Sequence, residues 1–277
     1  MEMRNFENNP VLENKIEYNN NEMIFCSKRG GIIKSMKIDG VELFYFDKER
    51  FNDPEQSDRG GAPELYPFAG PPTKEGPFSE LSQHGFARDL SWTIEKNEEG
   101  EFVEVLKSND ETREMYPYDF ELRLRSKMDE DGAITLTQEV ENKSEKEMPI
   151  SMGLHPYFNV PEGKKEEIKF DFEGGNEIEN ALQDWLENPD KKNEKDFLRR
   201  IDNPKEEIKI NIPGIGTIKM DISEEYEKIW IWTERDKNFI CIEPVMRDNK
   251  DGKIVDGPKM IKKDKTFSAS VKYGLED

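Results

Sequence analysis

The segment DFELRLRSKMDEDGAITLTQEVEN, residues 119–142, alternates apolar and charged side chains on both sides of a polar turn. Such alternation is typical of a β-strand with one buried face, because successive side chains point to opposite faces of a strand. The segment therefore predicts an antiparallel hairpin with one buried and one wet face. Its buried face is predicted to carry six apolar side chains: Phe120, Leu122, Leu124, Ile134, Leu136 and Val140.

The same alternation recurs through most of the chain and predicts the fold class. Strand-like runs such as MIFCS, GIIKSMKI, VELFYF and EKIWIWTE follow one another without regular helices between them. This order favours antiparallel sheets over a parallel α/β arrangement. We expect an all-β fold, a large antiparallel β-sandwich with a few short helices, formed by residues 1–277 as a single domain. Only residues 176–190 have helical spacing, with Ala181, Leu182 and Trp185 on one side.

The composition restricts the class of partner. The chain has 277 residues, with 41 basic and 61 acidic side chains and a net charge of −20. This charge repels a polyanion, so we expect no nucleic-acid partner. The longest apolar runs fall far short of the roughly 20 residues that a membrane-spanning helix needs, and the first ten residues contain no apolar signal-peptide core. We therefore expect a cytoplasmic protein with no membrane partner, either a monomer or a homodimer.

The two cysteines, Cys26 and Cys241, lie in the apolar runs MIFCS and FICIEP. A buried, reduced thiol is the common state in such runs. Neither run contains a histidine, and two thiols without a nearby histidine ligand do not make a zinc site. We therefore expect structural cysteines and no metal.

The residues with the clearest chemical potential are both histidines of the chain and one glutamate. His84 lies in SQHGFARD and His155 in GLHPYF, two segments with Gly or Pro and aromatic neighbours. Glu243 stands in the apolar run CIEPV, where an ionised carboxylate is costly without a partner or a task. Each residue alone is compatible with a structural role. Together, an imidazole and a carboxylate across a cleft form an acid/base pair, in which each group supplies roughly 10² to 10⁴ in rate.

Two other kinds of site are disfavoured. The chain has no G-x-S-x-G elbow and no Walker loop, which argues against serine catalysis and against nucleotide binding. The charge runs KSEKE, GKKEE and DKKNEKD are typical of solvated turns.

Four segments in order, RGGAPELYPFAG, QHGFARDLSW, MGLHPYFNVP and FICIEPV, followed by KTFSASVKY, span residues 59–273. In these segments the chain resembles the aldose 1-epimerase (mutarotase) family, in particular the branch that includes the hexose-6-phosphate mutarotases. The resemblance implies a galactose mutarotase-like sandwich with a sugar cleft on a concave sheet. It also implies an enzyme that interconverts the α and β anomers of an aldohexose or a hexose 6-phosphate, without a cofactor.

The resemblance also implies a role for each candidate catalytic residue. His155 is expected to protonate the ring oxygen, Glu243 to take the proton of the anomeric hydroxyl, and His84 to place and polarise the ring oxygen. In this division of labour His155 starts protonated and Glu243 ionised. The unperturbed pKa values of about 6.5 and 4.3 guarantee this only in part, so we expect a nearby carboxylate to raise the pKa of His155.

Substrate choice remains open at the level of the sequence. Arg59 and Arg88 match the phosphate-using branch, and a pair of guanidiniums is a natural receiver for a sugar phosphate. Relatives that act on free sugars can carry these arginines too, and Arg59 can equally anchor its turn. Pro71 and Pro72 stand where many free-sugar mutarotases have a sugar-contacting arginine, which disfavours the usual binding mode for galactose.

For the family's sugar-binding aspartate the candidate is Asp202, with Asp184 as its competitor and an ordinary loop role as the alternative. Two other classes of protein stay open. One is a non-catalytic carbohydrate-binding or sensing module on the same fold, which has no need of an acid/base set. The other is an interaction protein that works through its acidic surface.

Overall fold

The computed structural model describes residues 13–53, 59–202, 204, 207–247, 249–250 and 252–276. The first strands in these ranges are β1 Asn14–Tyr18, β2 Asn21–Cys26, β3 Ile32–Ile38, β4 Val41–Glu42, β5 Glu64–Leu65, β6 Thr93–Glu98, β7 Glu101–Lys107, β8 Phe120–Met128, β9 Ile134–Asn142, β10 Met148–Ile150 and β11 Gly153–Leu154. They continue with β12 Tyr157–Asn159, β13 Lys169–Asp171, β14 Asp196–Asp202, β15 Glu207–Ile212, β16 Gly216–Ile222, β17 Lys228–Glu234, β18 Phe239–Val245, β19 Asn249–Lys250, β20 Lys253–Ile254, β21 Lys259–Ile261 and β22 Thr266–Glu276. The helices are α1 Lys48–Asn52, α2 Asp110–Met115 and α3 Gly175–Glu187, with 3₁₀ turns at Ala87–Asp89, Lys165–Glu167 and Pro189–Lys191.

Two large sheets dominate the architecture. The larger has eight strands in the order β13-β15-β16-β22-β9-β8-β7-β6, and the smaller has the order β14-β17-β18-β11-β5, with β12 also pairing with β18. Neighbouring strands pair antiparallel, as between β17 and β18 or β8 and β9. The predicted all-β class is therefore confirmed, and residues 119–142 form the central hairpin of the larger sheet.

The hydrophobic core lies between the two large sheets. Tyr66, just after β5, packs on Phe120 of β8 with ring centroids 5.0 Å apart. The predicted apolar face of the hairpin is buried in this core. A smaller sheet, β1 to β4, joins the same core where Phe25 stacks on Phe102 at 4.2 Å. Aromatic side chains of this size dominate the energetics of such cores.

The predicted helix is α3, which packs on β13 at the end of the larger sheet and on β14 at the end of the smaller one. Leu182 and Trp185 are buried as expected, together with Ile178, whereas Ala181 is only half-buried. The Trp185 ring lies 5.7 Å from the Phe197 ring of β14. No helix in the described ranges is long and apolar enough to cross a membrane.

Charged side chains on the outer face of the eight-stranded sheet pair across its strands. Arg123 of β8 contacts Glu95 of β6 at 3.0 Å and Glu121 of its own strand at 2.8 Å. Arg125 lies 3.7 Å from Glu139 on the next strand. Exposed pairs of this kind contribute less than about 1 kcal/mol each. They explain why the wet face of these strands carries alternating charges.

Two glutamates are fully buried inside the sandwich. Glu64 of β5 accepts a hydrogen bond from the Gln138 amide, and burial raises the pKa of its carboxyl to about 8. Burial likewise raises the pKa of Glu104 of β7 to about 7. Both carboxyls therefore stay protonated in the folded chain at pH values where the unfolded chain has lost those protons.

Glu64→Gln is expected to change the pH dependence of stability. In the unfolded chain the carboxyl titrates near 4.5, so the free energy of unfolding falls between that pH and about 8. An amide does not titrate. The free energy of unfolding of the variant, relative to that of the wild type, should therefore rise by a few kcal/mol between pH 5 and pH 8. Denaturant unfolding at both pH values measures the difference, with the exposed Glu99→Gln as control. A difference that stays constant with pH contradicts the assignment.

Candidate active site

Strand β18 crosses the middle of the smaller sheet and carries the central carboxylate. All seven of its residues are buried. Ile240 and Ile242 belong to the core between the sheets, so the alternation of the strand turns Cys241 and Glu243 to the opposite, outer face. Glu243 lies opposite Trp230 of β17 and is only 2% exposed.

A cleft with a volume of about 400 Å³ opens on this outer face. It falls within the range of small-molecule sites. Five of the six site residues predicted from the sequence line it: Arg59, His84, Arg88, His155 and Glu243. They come from four separate parts of the chain, and the fold brings them together. The lining also includes four residues that were not predicted from the sequence: Asp196, Arg200, Trp230 and Trp232.

His155 and Glu243 pair with each other in the cleft. Nε2 of His155 lies 3.4 Å from Oε1 of Glu243. The histidine follows β11 directly, and its backbone N–H donates to the Pro63 carbonyl at 3.1 Å. Its ring stacks on Tyr157, with centroids 4.6 Å apart, and meets the edge of Trp232 at 6.0 Å. The imidazole is therefore held in a fixed orientation.

Burial favours the uncharged form of both Glu243 and His155. It raises the pKa of Glu243 well above 4.5 and lowers the pKa of His155 well below 6.5. The expectation of a raised histidine pKa was therefore wrong, because desolvation opposes the imidazolium, and so do His84, Arg88 and Arg59. The pair is most stable with one proton between the two groups, and burial favours Glu243 as its holder.

His84 occupies a strained loop, and its ring contacts two neighbours: Gly70 through Nδ1, and the side-chain amide of Gln83, which lies 3.1 Å from Nε2. Its φ of 67° lies in the left-handed region. Its backbone N–H donates to the Gly70 carbonyl at 2.8 Å, and the Gly70 N–H donates back to Nδ1 at 3.0 Å. Because Nδ1 accepts, the neutral ring carries its proton on Nε2. Burial and Arg88 lower the pKa of His84 to about 3, so the ring stays neutral near pH 7.

The glycine after His84 is required by a close backbone approach. Gly85 has a φ of 76°, and a Cβ at this position would lie 2.0 Å from the Tyr66 carbonyl oxygen. These contacts account for the glycine and for the position of the arginine in QHGFARD. The loop that carries His84 packs directly on the segment after β5, and the Ala87–Asp89 turn then directs Arg88 to the cleft.

Three arginines concentrate positive charge in the cleft of an otherwise acidic protein. Arg88 donates to the Gln83 carbonyl at 3.1 Å. Nε of Arg59 lies 3.2 Å from Oε1 of Glu234, and its guanidinium lies 5.2 Å from the Trp232 ring. Arg200 of β14 stands over Trp230 at 5.5 Å. The arrangement suits a ligand with an anionic group.

The structure does not bring Asp202 or Asp184 to the cleft lining. Asp202, at the end of β14, is 77% exposed and lies 3.0 Å from Nζ of Lys228. Asp184 of α3 contacts Lys191 on the helix surface. Asp196 lines the cleft instead, where its Oδ2 accepts a hydrogen bond from Trp232 Nε1 at 3.3 Å. The first residue of β14, rather than the last, therefore brings an aspartate to the cleft lining.

Both cysteines are free and buried, as predicted. Their surroundings differ. Cys26 packs with Ile32 and Phe51. Cys241 stands beside His155 and Glu243, and donor atoms of the three residues all lie within 4.8 Å of one another. Among the described residues, this is the group whose geometry could hold a metal ion.

Together these features define a β-sandwich protein with a buried imidazole–carboxylate pair at the base of an arginine-lined cleft. The sequence profile of the aldose 1-epimerase family matches residues 14–251. The chain belongs to this family.

Relatives known from sequence cover part of the chain. A Salmonella typhimurium protein named "putative glucose-6-phosphate 1-epimerase" is 35% identical over 106 residues, 37% of this chain and 33% of that protein. Protein LacX of Lactococcus lactis, the plasmid form, is 34% identical over 152 residues, 50% of this chain and 48% of that protein. The matched region spans between a third and a half of the length of these relatives.

Solved structures share the fold over nearly the whole chain. The Slr1438 protein of Synechocystis sp. PCC 6803 superimposes with a TM-score of 0.81 at 24% identity, covering 97% of this chain and 96% of that one. A galactose mutarotase related enzyme of Lactobacillus acidophilus superimposes with a TM-score of 0.71 at 22% identity, covering 96% and 98%. The galactose mutarotase-like sandwich implied by the sequence is confirmed.

Proposed function

We propose that this protein is an aldose 1-epimerase that interconverts the α and β anomers of a hexose 6-phosphate, with the free aldohexose as a second candidate substrate. The observation that carries the proposal is the 3.4 Å contact between His155 Nε2 and Glu243 Oε1 at the base of the cleft. Membership of the family supports the same reaction. The roles of individual residues in this reaction are part of the proposal.

The reaction needs one base and one acid. Opening the pyranose removes the proton of O1 and protonates the ring oxygen O5, which gives the free aldehyde. Rotation about C1–C2 and reclosure on the other face give the second anomer. A pair that holds one proton between two groups supplies one acid and one base in each direction. We assign Glu243 to O1 and His155 to O5.

The protonation state of the pair is compatible with this assignment. Burial favours the proton on Glu243, and its transfer to His155 leaves the total charge of the pair unchanged. A sugar hydroxyl that donates to Glu243 stabilises the carboxylate and so promotes that transfer. His84, neutral with its proton on Nε2, is suited to donate a hydrogen bond to the ring oxygen. No step requires a cofactor.

The arginines support a phosphorylated substrate. Arg59 and Arg88 lie close enough to the reacting pair to act on the pKa of Glu243. C6 carries the phosphate outside the ring and is attached to C5, the carbon bonded to O5, so guanidiniums near His155 are in the right region for the phosphate. Pro71 lines the cleft where free-sugar relatives are expected to carry an arginine. The flat rings of Trp230 and Trp232 offer apolar surface to a sugar face.

Optical rotation of freshly dissolved α-glucose and α-glucose 6-phosphate tests the proposal. The protein is expected to accelerate relaxation to the equilibrium mixture for at least one of the two, beyond the rate in buffer with heat-denatured protein. A chain that binds these sugars without accelerating relaxation is instead the non-catalytic binding or sensing module. If it neither binds nor accelerates any aldohexose or hexose phosphate, the proposal is wrong.

Asp196→Asn is expected to lower kcat/KM for the preferred sugar by about tenfold. The reason is that a hydrogen bond to a charged acceptor contributes roughly 1.5 kcal/mol or more. The matched control is Asp202→Asn, at the other end of the same strand and outside the cleft lining. It is expected to leave kcat/KM nearly unchanged. Equal losses in the two variants would remove Asp196 from the proposed site.

The proposal extends to the location and assembly of the protein. We infer a cytoplasmic protein, because two free buried thiols suit a reducing compartment. Residues 1–277 are proposed to act as one domain, as a monomer or a homodimer. A nucleic-acid partner is not expected at a net charge of −20.

A further inference from the structure

The side chain of Cys241 has no assigned task, yet it stands beside the two groups proposed to react. Cys241 and Glu243 are alternate residues of β18 and share its outer face, and His155 approaches them from the loop after β11. One ligand atom of each residue lies within 4.8 Å of the other two. The three residues are at most 6% exposed. In addition, Nδ1 of His155 is buried without a hydrogen-bond partner among the described residues.

We propose that Cys241, His155 and Glu243 form a binding site for one Zn²⁺ ion, which competes with the sugar. A thiolate, an imidazole and a carboxylate are the three side-chain types that zinc uses in proteins. Tetrahedral zinc with bond lengths of about 2.0 to 2.3 Å separates its ligand atoms by roughly 3.3 to 3.6 Å. The pair of His155 and Glu243 already has this separation, at 3.4 Å. Rotation of the Cys241 side chain is needed to complete the triangle.

The charge balance of the site favours a divalent ion that binds thiolates. The Cys241 thiol loses one proton on binding, and the shared proton of His155 and Glu243 is released as well. The thiolate and the carboxylate then neutralise the two charges of the ion. His155 and Glu243 line the cleft, so the fourth coordination position faces its open volume.

The thiolate ligand makes the site selective among cations. Arg59 and Arg88 exert their charge on Glu243 and oppose any cation there. A hard cation such as Mg²⁺ prefers oxygen ligands and gains little from a thiolate. We therefore expect binding of Zn²⁺ and Co²⁺ and none of Mg²⁺ at comparable concentrations.

Competition with the sugar rests on the proposed function, whereas the metal site does not. A bound ion occupies both the base and the acid of the reaction. Anomer exchange is then expected to be inhibited reversibly by Zn²⁺ and restored by a chelator. Metal binding itself is measured without sugar, so failure of the one proposal is distinguishable from failure of the other.

Titration of the 277-residue protein with Co²⁺ tests the site directly. A thiolate-to-cobalt charge-transfer band should rise to a stoichiometry of one and disappear when Zn²⁺ is added. Cys241→Ser should abolish the band and weaken Zn²⁺ binding by at least about tenfold, because a direct ligand matters at least as much as its hydrogen-bonding partners. The matched control is Cys26→Ser, the other buried thiol, which should retain the band and full affinity.

Two results overturn the proposal: the absence of a thiolate band in the wild type, or equal Zn²⁺ affinity in the wild type and Cys241→Ser. Near-ultraviolet circular dichroism checks the fold of the serine variant. If that variant does not fold, Glu243→Gln replaces it in the affinity measurement. Loss of the carboxylate should weaken Zn²⁺ binding by a similar factor, and unchanged affinity there also contradicts the site.

Discussion

Glu243→Gln is expected to slow enzyme-catalysed anomer exchange by roughly 10² to 10⁴ at saturating sugar. The amide keeps the size of the side chain and its place in β18, but it cannot take the proton of O1. A carboxyl with a pKa raised by burial is also costly to ionise, so the variant should be at least as stable as the wild type. A loss of rate in a stable variant then reports chemistry and not unfolding.

The same loss is expected for His155→Asn, and the double variant should be little slower than either single variant. Groups that act as one acid/base unit show strongly non-additive losses, because removing either member already disables the other. Glu99→Gln, on an exposed turn, serves as the control for the substitution itself. Exchange within a few-fold of the wild type in both single variants would assign the pair a structural role. Rates are measured on both anomers of the preferred sugar.

Arg88→Met is expected to lower kcat/KM for glucose 6-phosphate by roughly tenfold to a hundredfold and to leave the value for glucose nearly unchanged. A hydrogen bond between two charged groups contributes about 1.5 to 3 kcal/mol, and only the phosphorylated sugar makes this bond. Arg59→Met should act in the same direction. Its effect includes the loss of the contact with Glu234, so Arg88 is the sharper test.

Arg199→Met is the matched control for these arginines. Arg199 is exposed on β14, and its guanidinium lies over Phe197, away from the cleft lining. Its replacement should change neither sugar's kcat/KM. If Arg88→Met reduces activity on glucose and glucose 6-phosphate equally, Arg88 positions the His84 loop and does not select the phosphate. The quantity to compare is the ratio of kcat/KM for glucose 6-phosphate to kcat/KM for glucose, because general effects on the enzyme cancel in this ratio.

Most of the fold was predictable because local patterns agree with the final sheets. The alternation in residues 119–142 is the register of β8 on β9, and one face of both strands is buried. The helical spacing of residues 176–190 corresponds to α3, with a shift of three residues at its C-terminal end. The order of the sheets was not predictable, since pairs such as β22 with β9 join segments far apart in sequence.

The candidate site shows where sequence patterns stop being sufficient. Asp196 and Asp202 stand an even number of residues apart on β14, so alternation turns both to the outer face of the sheet. The pairing of β14 with β17 gives the two aspartates different neighbours. Asp196 lies opposite Glu234, and Asp202 lies opposite Lys228. This register depends on tertiary pairing, and so the predicted residue, Asp202, lies at the wrong end of the strand for the cleft.

The electrostatics of the pair needed the structure for a similar reason. The sequence shows an acidic protein, from which a raised histidine pKa seemed to follow. The fold instead encloses His155 and places Arg59 and Arg88 nearby, and both effects lower the pKa. The proximity of Cys241 to His155 is likewise tertiary, because β18 and the loop after β11 are distant in the chain.

Saturation-transfer NMR on an equilibrium mixture of glucose 6-phosphate anomers tests the central claim most directly. Saturation of one anomeric proton should pass to the other anomer in the presence of the wild-type protein, and much less in the presence of Glu243→Gln or His155→Asn. Glucose examined in parallel identifies the preferred substrate. Transfer at the uncatalysed rate with the wild type, for both sugars, or equal transfer in all three proteins, would contradict the assignment of His155 and Glu243 as the acid/base pair of an aldose 1-epimerase.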